Sequence, residues 1–139
     1  MVRVMASGVF DLIHPGHISY LEQAKKYGDE LIVVVACDKT VREKKHEPIT
    51  PEDMRAKIVG SLKPVDKAIV GNQGDIFETV KRIRPDVIVL GFDQKFDEQQ
   101  LSEELAKRGL GNIKVIRASE NADDLNATRR IVAKIRRME

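Results

Sequence analysis

The feature that most constrains the fold is a pair of short apolar runs rich in β-branched residues. Residues 31–36 and 87–90 show none of the polar alternation expected of a strand with one face in water. Such runs are typical of strands covered on both faces, as in parallel sheets flanked by helices. Amphipathic segments separate the strands along the chain, and this order predicts a doubly wound α/β fold built on a parallel sheet.

The other elements follow from the same patterns. Further strands are predicted at residues 2–6, 67–70 and 113–116, and helices after residue 14 and at residues 76–83, 97–108 and 128–138. Another helix is predicted to begin after Thr50 as its N-cap, with Met54, Ile58 and Leu62 as its buried stripe. Residues 38–48 lack such a stripe, which indicates a mobile loop or a short helix over a site.

Length and composition exclude several classes of protein. The 139 residues suffice for a single domain (1–139), and no 18-residue apolar run could span a membrane. One cysteine, Cys37, excludes an internal disulfide, and no signal-peptide pattern is present, so we expect a soluble cytoplasmic protein without a membrane partner. The net charge of +2 creates no strong field for nucleic acid, and the basic tail (residues 129–137) is more typical of a solvated helix face.

A stretch containing glycine and histidine, residues 7–17, joins the first strand to the first helix. Gly8 is expected to allow a sharp turn, and Pro15 suits the first helical turn. His14 and His17 then stand at a helix N-terminus, where N–H groups and the helix dipole attract anions. The stretch predicts a phosphate site, the alternative being that His14 is a helix cap and His17 an ordinary surface residue.

The expected place for this site is the carboxyl edge of the sheet. In a doubly wound sheet, ligands bind where the strand order reverses, and with the common strand order that point lies between the first strand and strand 87–90. Residues 8–17 then face residues 91–93. Neither a GxxxxGK[ST] nor a GxGxxG pattern is present, so a P-loop NTPase or a dinucleotide dehydrogenase is not supported.

The pattern GxFDxxHxGH resembles that of the cytidylyltransferase-like nucleotidyltransferases, a Rossmann-like fold of the HxGH type. Residues 28–33, 62–69 and 85–94 look like the archaeal-type FAD synthases, and the glycerol-3-phosphate cytidylyltransferases are the next most similar group. The first resemblance implies transfer of AMP from ATP to FMN, giving FAD and pyrophosphate, whereas the second implies transfer of CMP from CTP to glycerol 3-phosphate. The superfamily resemblance also implies a homodimer.

Both reactions bring an anionic phosphate monoester onto the α-phosphorus of a nucleoside triphosphate. Since the nucleophile is already ionised, the site needs donors and positive charge rather than a strong base. We expect His17 to stabilise the α-phosphoryl group and His14 to donate beside it. The predicted nucleotide-binding set in this stretch comprises Val9, Phe10, Asp11, His14, Pro15, Gly16 and His17, with Val9 and Phe10 donating backbone N–H groups and Asp11 orienting the loop.

Residues further along the chain complete the predicted site. Lys44 or Lys45 is expected to close over the β- and γ-phosphates, unless both are merely solvated. The family resemblance places a phosphate-binding arginine at Arg55 and a triphosphate contact at Thr128, which otherwise simply begins a helix. Asp93 suits accepting from a ribose hydroxyl or base amine, or stabilising its own loop.

No resident metal site is predicted. A histidine pair without a further ligand pair does not suit a closed zinc site, so we expect a divalent ion such as Mg²⁺ to be carried by the triphosphate. Two departures from the superfamily pattern keep open a nucleotide-binding regulator that has lost catalysis. Val9 stands where threonine is usual, and the Ile-Ser-Thr-Thr segment is reduced to Thr128.

Overall fold

The structure is a computed structural model that describes residues 1–44, 46–72, 74–92, 94, 96–119 and 128–138. Its strands are β1 (Arg3–Gly8), β2 (Glu30–Val35), β3 (Lys67–Val70), β4 (Val87–Leu90) and β5 (Lys114–Arg117). Its helices are α1 (Pro15–Lys25), α2 (Asp38–Lys44), α3 (Glu52–Gly60), α4 (Ile76–Ile83), α5 (Glu98–Lys107) and α6 (Thr128–Met138). Each predicted strand and helix is present, within about two residues of its expected bounds.

The strands form one parallel sheet in the order β3-β2-β1-β4-β5. Because successive residues of a strand point to opposite faces, the sheet has two apolar cores. Helices α1 and α3 supply Leu21 and Val59 to one core, and α4 and α5 supply Val80 and Leu105 to the other. The predicted doubly wound α/β fold is therefore confirmed.

The order of the strands reverses between β1 and β4. From β1 the chain first runs outward to β2 and β3, then returns to β4 on the other side of β1. β1 pairs with β4 only from Val4↔Val87 to Ala6↔Val89, although β1 itself continues to Gly8. The crevice predicted at this point lies between the end of β1 and the end of β4.

Helix α3 differs from the prediction in its cap and in the face that it buries. The residue at the N-cap is Pro51, and the Thr50 hydroxyl bonds elsewhere. Met54 and Ile58 are 49% and 38% exposed, so the predicted stripe was wrong at these two positions, whereas Leu62 packs against the core. The helix instead buries Arg55 and Val59, which lie one residue later in the helical repeat. Polar contacts of Arg55, described below, give the reason.

The polar segment after β2 folds as the short helix α2, which was one of the two predicted alternatives. In the part of the chain that the structure describes, no helix has the length and apolar character needed to cross a membrane.

Candidate active site

The loop from Val9 to His14 turns through two residues with left-handed backbone. Phe10 and Leu12 have φ angles of +55° and +58°, a region that non-glycine residues seldom occupy. Gly8 is still part of β1 and does not form the turn predicted there. The absence of a side chain at Gly8 instead leaves room for the Phe10 ring. A Cβ atom at Gly8 would lie 3.0 Å from Cε2 of the Phe10 ring. The loop therefore combines a strained backbone with a buried aromatic anchor.

The two histidines cap α1 through their Nδ1 atoms. His14 is the N-cap, and its Nδ1 accepts from the backbone N–H of Gly16 at 3.1 Å. The backbone N–H of His14 in turn donates to Nδ1 of His17 at 3.3 Å. Because an acceptor nitrogen carries no proton, each neutral imidazole has its proton on Nε2. Capping and phosphate binding are thus compatible, since they use different nitrogens of the same ring.

Aromatic contacts fix the orientation of both imidazoles. The His14 and His17 ring centroids lie 3.8 Å apart with the planes nearly parallel. The centroid of the His17 ring also lies 5.3 Å from that of the Phe10 ring. Phe10 in turn stacks against Tyr20, with 6.4 Å between the ring centroids. His14 is buried, whereas His17 is partly exposed in the first turn of α1. The arrangement supplies two oriented N–H donors at the positive end of a helix, which suits an anion.

Two buried charges hold this loop onto the segment before α3. The Asp11 carboxylate accepts from the backbone N–H groups of Ile49 and Thr50 and from the Thr50 hydroxyl, at 2.7 to 3.0 Å. Arg55 donates to the carbonyl oxygens of Thr50, Val9 and Ala36 at 2.7 to 2.9 Å. The Thr50 backbone is therefore bound on both sides, and Asp11 orients the loop by accepting N–H groups.

Arg55 lies beneath the loop rather than at its surface. Its side chain is 0% exposed, and its guanidinium also donates to Oδ1 of Asp38 at 2.6 Å. Partial burial acts to raise the pKa of Asp38, but hydrogen bonds from Arg55 and from the Glu52 backbone, with attraction to Arg55 and Arg42, lower that pKa overall. In this structure, the donors of Arg55 are directed to protein oxygens, not toward the surface where a phosphate would lie.

The loop that follows β4 (residues 91–96) is described at Gly91, Phe92, Gln94 and Phe96, and two side chains hold these residues beside the histidine loop. Gln94 donates to the Ser7 carbonyl at 2.6 Å and accepts from the backbone N–H of Gly91. Arg117, at the end of β5, donates to the carbonyls of Gly91, Gln94 and Phe96 and pairs with Glu98. Hereafter these residues are called the β4–α5 loop.

Tyr20 spans the gap where β1 and β4 separate. Its hydroxyl accepts from the Ser7 N–H at 3.1 Å and donates to the Val89 carbonyl at 2.5 Å. Together with Gln94, it satisfies both backbone groups of Ser7 beyond the last β1–β4 pair. Beyond the last β1–β4 pair, side chains therefore replace strand pairing at the predicted crevice.

The structure brings most of the predicted residues together. The set from Val9 to His17 forms one continuous strand-to-helix turn, with Pro15 and Gly16 in the first turn of α1. Lys44 is exposed at the end of α2, whose first residue binds Arg55. Thr128 begins α6, but its side chain lies outside the described residues, as do Lys45 and Asp93.

Four residues that shape the site were not found from the sequence. Thr50, Tyr20, Gln94 and Arg117 act through contacts with residues 13 to 87 positions away. Of these four, only Arg117 could have been noticed from its local sequence. It directly follows a predicted strand, and this position lies at the carboxyl edge of the sheet, where the site was expected. Among the described residues, no group of three or more His, Cys, Asp or Glu side chains is placed to hold a metal ion.

Comparisons with known proteins agree with this geometry. The sequence model of the cytidylyltransferase-like family matches residues 5–134. The FAD synthase of Aciduliprofundum boonei is 57% identical over 136 residues, covering 97% of this chain and 91% of that protein. The FAD synthase of Archaeoglobus profundus is 56% identical over 131 residues, covering 93% and 83%.

A solved structure supports the same assignment. The crystal structure of the lipopolysaccharide core biosynthesis protein from Thermoplasma volcanium is similar with a TM-score of 0.85 and 50% sequence identity, covering 87% of this chain and 98% of that chain. The family match includes the histidine turn, the crevice and α2 through α5. The chain therefore belongs to the cytidylyltransferase-like family of nucleotidyltransferases.

Proposed function

We propose that the protein is an FAD synthase, which transfers AMP from ATP to FMN and releases pyrophosphate. The observation that carries the proposal is the identity of 57% and 56% with two FAD synthases over nearly the whole chain. The oriented imidazoles of His14 and His17 at the start of α1 suit the reacting phosphates. The same turn would serve a cytidylyltransferase, so the relatives, not the turn, favour ATP and FMN.

The chemistry requires positioning rather than a base. An oxygen of the FMN phosphate forms a bond to the α-phosphorus of ATP while the bond to the β-phosphate oxygen breaks and pyrophosphate leaves. The Nε2–H of His17 would strengthen its hydrogen bond as charge develops on the α-phosphoryl oxygens, with His14 donating beside it. Backbone N–H groups of Val9 and Phe10 and the start of α1 would add further donors.

Lys44 is proposed to approach the β- and γ-phosphates from the end of α2. This proposal is supported by the start of α2, which follows β2 directly and is anchored through Asp38 to the buried Arg55. Arg55 is proposed to place this helix and the histidine loop rather than to bind phosphate itself. Asp93 and Thr128 stay proposals as nucleotide contacts, with Asp93 on the β4–α5 loop and Thr128 at the start of α6.

A divalent ion would enter as part of the substrate, bound to the triphosphate. Activity should then depend on added Mg²⁺ and be abolished by a chelator, whereas the melting temperature without nucleotide should not change. We also propose that the protein acts as a cytoplasmic homodimer, which sedimentation of the purified chain would test.

A substrate panel tests the reaction. The protein is incubated with ATP or CTP and with FMN or glycerol 3-phosphate, and pyrophosphate release is measured together with the product. We expect release with ATP and FMN and formation of FAD. Release only with CTP and glycerol 3-phosphate would establish the alternative cytidylyltransferase reaction. ATP binding without turnover in any mixture would instead support a nucleotide-binding regulator.

A further inference from the structure

The aromatic residues of this chain are placed unevenly about the sheet. The chain has four phenylalanines, two tyrosines and no tryptophan, and all six lie in described parts. Phe10 and Tyr20 are buried beside His17, and the guanidinium carbon of Arg108 lies 4.1 Å from the Phe77 ring centroid. These three rings are therefore already in contact with protein groups.

The three exposed rings fall at opposite edges of the sheet. Tyr27 is 46% exposed, but it follows α1 at the amino edge, where the next residues pair with Val2. Phe92 and Phe96 are each 41% exposed and belong to the β4–α5 loop at the carboxyl edge. An aromatic ligand bound at the crevice thus has Phe92 and Phe96 as the exposed aromatic side chains at its edge of the sheet.

With Lys44 over the β- and γ-phosphates as proposed above, in-line transfer would bring the acceptor to this side. In phosphoryl transfer the attacking and leaving oxygens lie roughly in line across the phosphorus. The leaving pyrophosphate is assigned above to the side of α2, which follows β2. The acceptor phosphate then approaches from the opposite side of β1, where β4 and its loop lie.

The β4–α5 loop is held ready for a rigid ligand. Arg117 binds the carbonyls of Gly91 and Phe96, which bracket both phenylalanines, and Gln94 joins the loop to Ser7 of β1. A loop fixed at several points loses little conformational freedom when a ligand packs on it. Exposed aromatic rings on a loop whose backbone is held in this way suit a flat aromatic partner.

We propose that Phe92 and Phe96 bind the isoalloxazine ring of FMN and so select the acceptor. This inference rests on the proposed FAD synthase function, and it assigns acceptor recognition to the β4–α5 loop. Glycerol 3-phosphate has no aromatic ring that could pack against these side chains. The proposal therefore gives a physical reason why this chain would prefer a flavin to a small phosphomonoester.

The test uses Phe92→Leu and Phe96→Leu, singly and combined, in the full-length protein. Leucine keeps an apolar side chain but removes the aromatic face. Since the aromatic face is lost, the KM and Kd for FMN should rise roughly tenfold in the variant of the more important ring, with the KM for ATP within about twofold of wild type. Tyr27→Leu, at the other edge of the sheet, is the matched control and should leave the FMN and ATP constants unchanged.

The outcomes separate this inference from the function on which it rests. If the wild-type protein makes FAD and both leucine variants keep the wild-type KM for FMN, the acceptor assignment is wrong while the function stands. A rise in the KM for ATP alone would assign the rings to adenine and overturn the proposal. If the wild-type protein makes no FAD from ATP and FMN, the proposed function fails, and the acceptor assignment fails with it.

Discussion

The two loops that face each other across the crevice are held in different ways. The histidine loop is fixed from beneath, by the carboxylate of Asp11 and the fully buried guanidinium of Arg55. The β4–α5 loop is fixed from the side by Arg117, whose side chain is 24% exposed. The difference fits the two proposed tasks: the histidine loop would hold the reacting phosphates in a single geometry, and the β4–α5 loop would present a surface to the acceptor.

The energetic consequences of losing each support should differ accordingly. Removing a buried charged donor leaves its acceptors unpaired, which costs several kcal/mol, whereas a partly exposed group can be replaced by water. Loss of the buried support of the histidine loop should therefore lower the free energy of unfolding of the whole protein. Loss of the partly exposed support of the β4–α5 loop should disturb only that loop, and we expect the change to appear in the affinity for substrate.

The largest effect is expected for Arg55→Met, which keeps the side-chain length but removes the guanidinium. Three backbone carbonyls and Asp38 would lose their donor, and we expect the free energy of unfolding to fall by about 3–5 kcal/mol, measured by urea denaturation. Arg42→Met, which disrupts an exposed pair with Glu47, serves as the control and should cost less than about 1 kcal/mol. Equal losses of stability in the two variants would show that the buried hydrogen bonds of Arg55 do not stabilise the fold.

His17→Ala should come next, with its main effect on rate. Loss of a donor that acts in the transition state typically lowers kcat by about 10²–10³-fold. We expect the KM for ATP to change little, because the interaction strengthens only as charge develops. His46→Ala, on the exposed segment after α2, is the control. A rise in KM that accounts for the whole loss would make His17 a binding residue only.

Arg117→Lys tests the side support and should have a smaller effect. Lysine keeps the charge but cannot bind three carbonyls and Glu98 in a planar fork, so we expect the KM for FMN to rise about fivefold while the KM for ATP is kept. Arg3→Lys is a close control, because Arg3 pairs with Glu30 and the Ile83 carbonyl at the opposite edge of the sheet. If both variants raise the FMN constant alike, Arg117 has no special positioning role.

The smallest effect is the pH dependence contributed by Asp38. Its pKa is lowered in the folded protein, so its stabilisation is complete above the unfolded value near 3.8 and is lost as the pH falls through the lower folded value. The stability difference between wild type and Asp38→Asn, about 1 kcal/mol, should be constant at neutral pH and shrink below pH 3.8. Asp66, whose pKa is lowered by Lys25 and the Leu31 N–H, is present in both proteins and cancels. A difference that grows on acidification would contradict this assignment.

The alternation of strands and helices was predictable because it depends on local patterns, and the place of the crevice followed once the common strand order was assumed. The uninterrupted run of Val87–Leu90 and the capped helix Ile76–Ile83 have the predicted bounds. Once the elements alternate, the parallel topology and the position of a glycine and histidine turn at the carboxyl edge follow from general rules.

The interior of the site was not predictable, because it depends on long-range polar contacts. Apolar periodicity assigned Met54 and Ile58 to the core, but Arg55 points inward to meet carbonyls of Val9 and Ala36, 46 and 19 residues away. Hydropathy assigns every arginine to the surface. The predicted buried face of α3 was therefore displaced by one residue. The left-handed backbone at Phe10 likewise has no signature in residue type.

The Tyr20 hydroxyl has a consequence for the thermodynamics of substrate binding. Because it occupies the Ser7 N–H and the Val89 carbonyl, β1 and β4 cannot continue their pairing toward the site when no ligand is present. A substrate entering the crevice therefore has no backbone hydrogen bonds between these strands to break. Binding free energy that would otherwise be spent on separating the strands is thus left available for orienting the two phosphates.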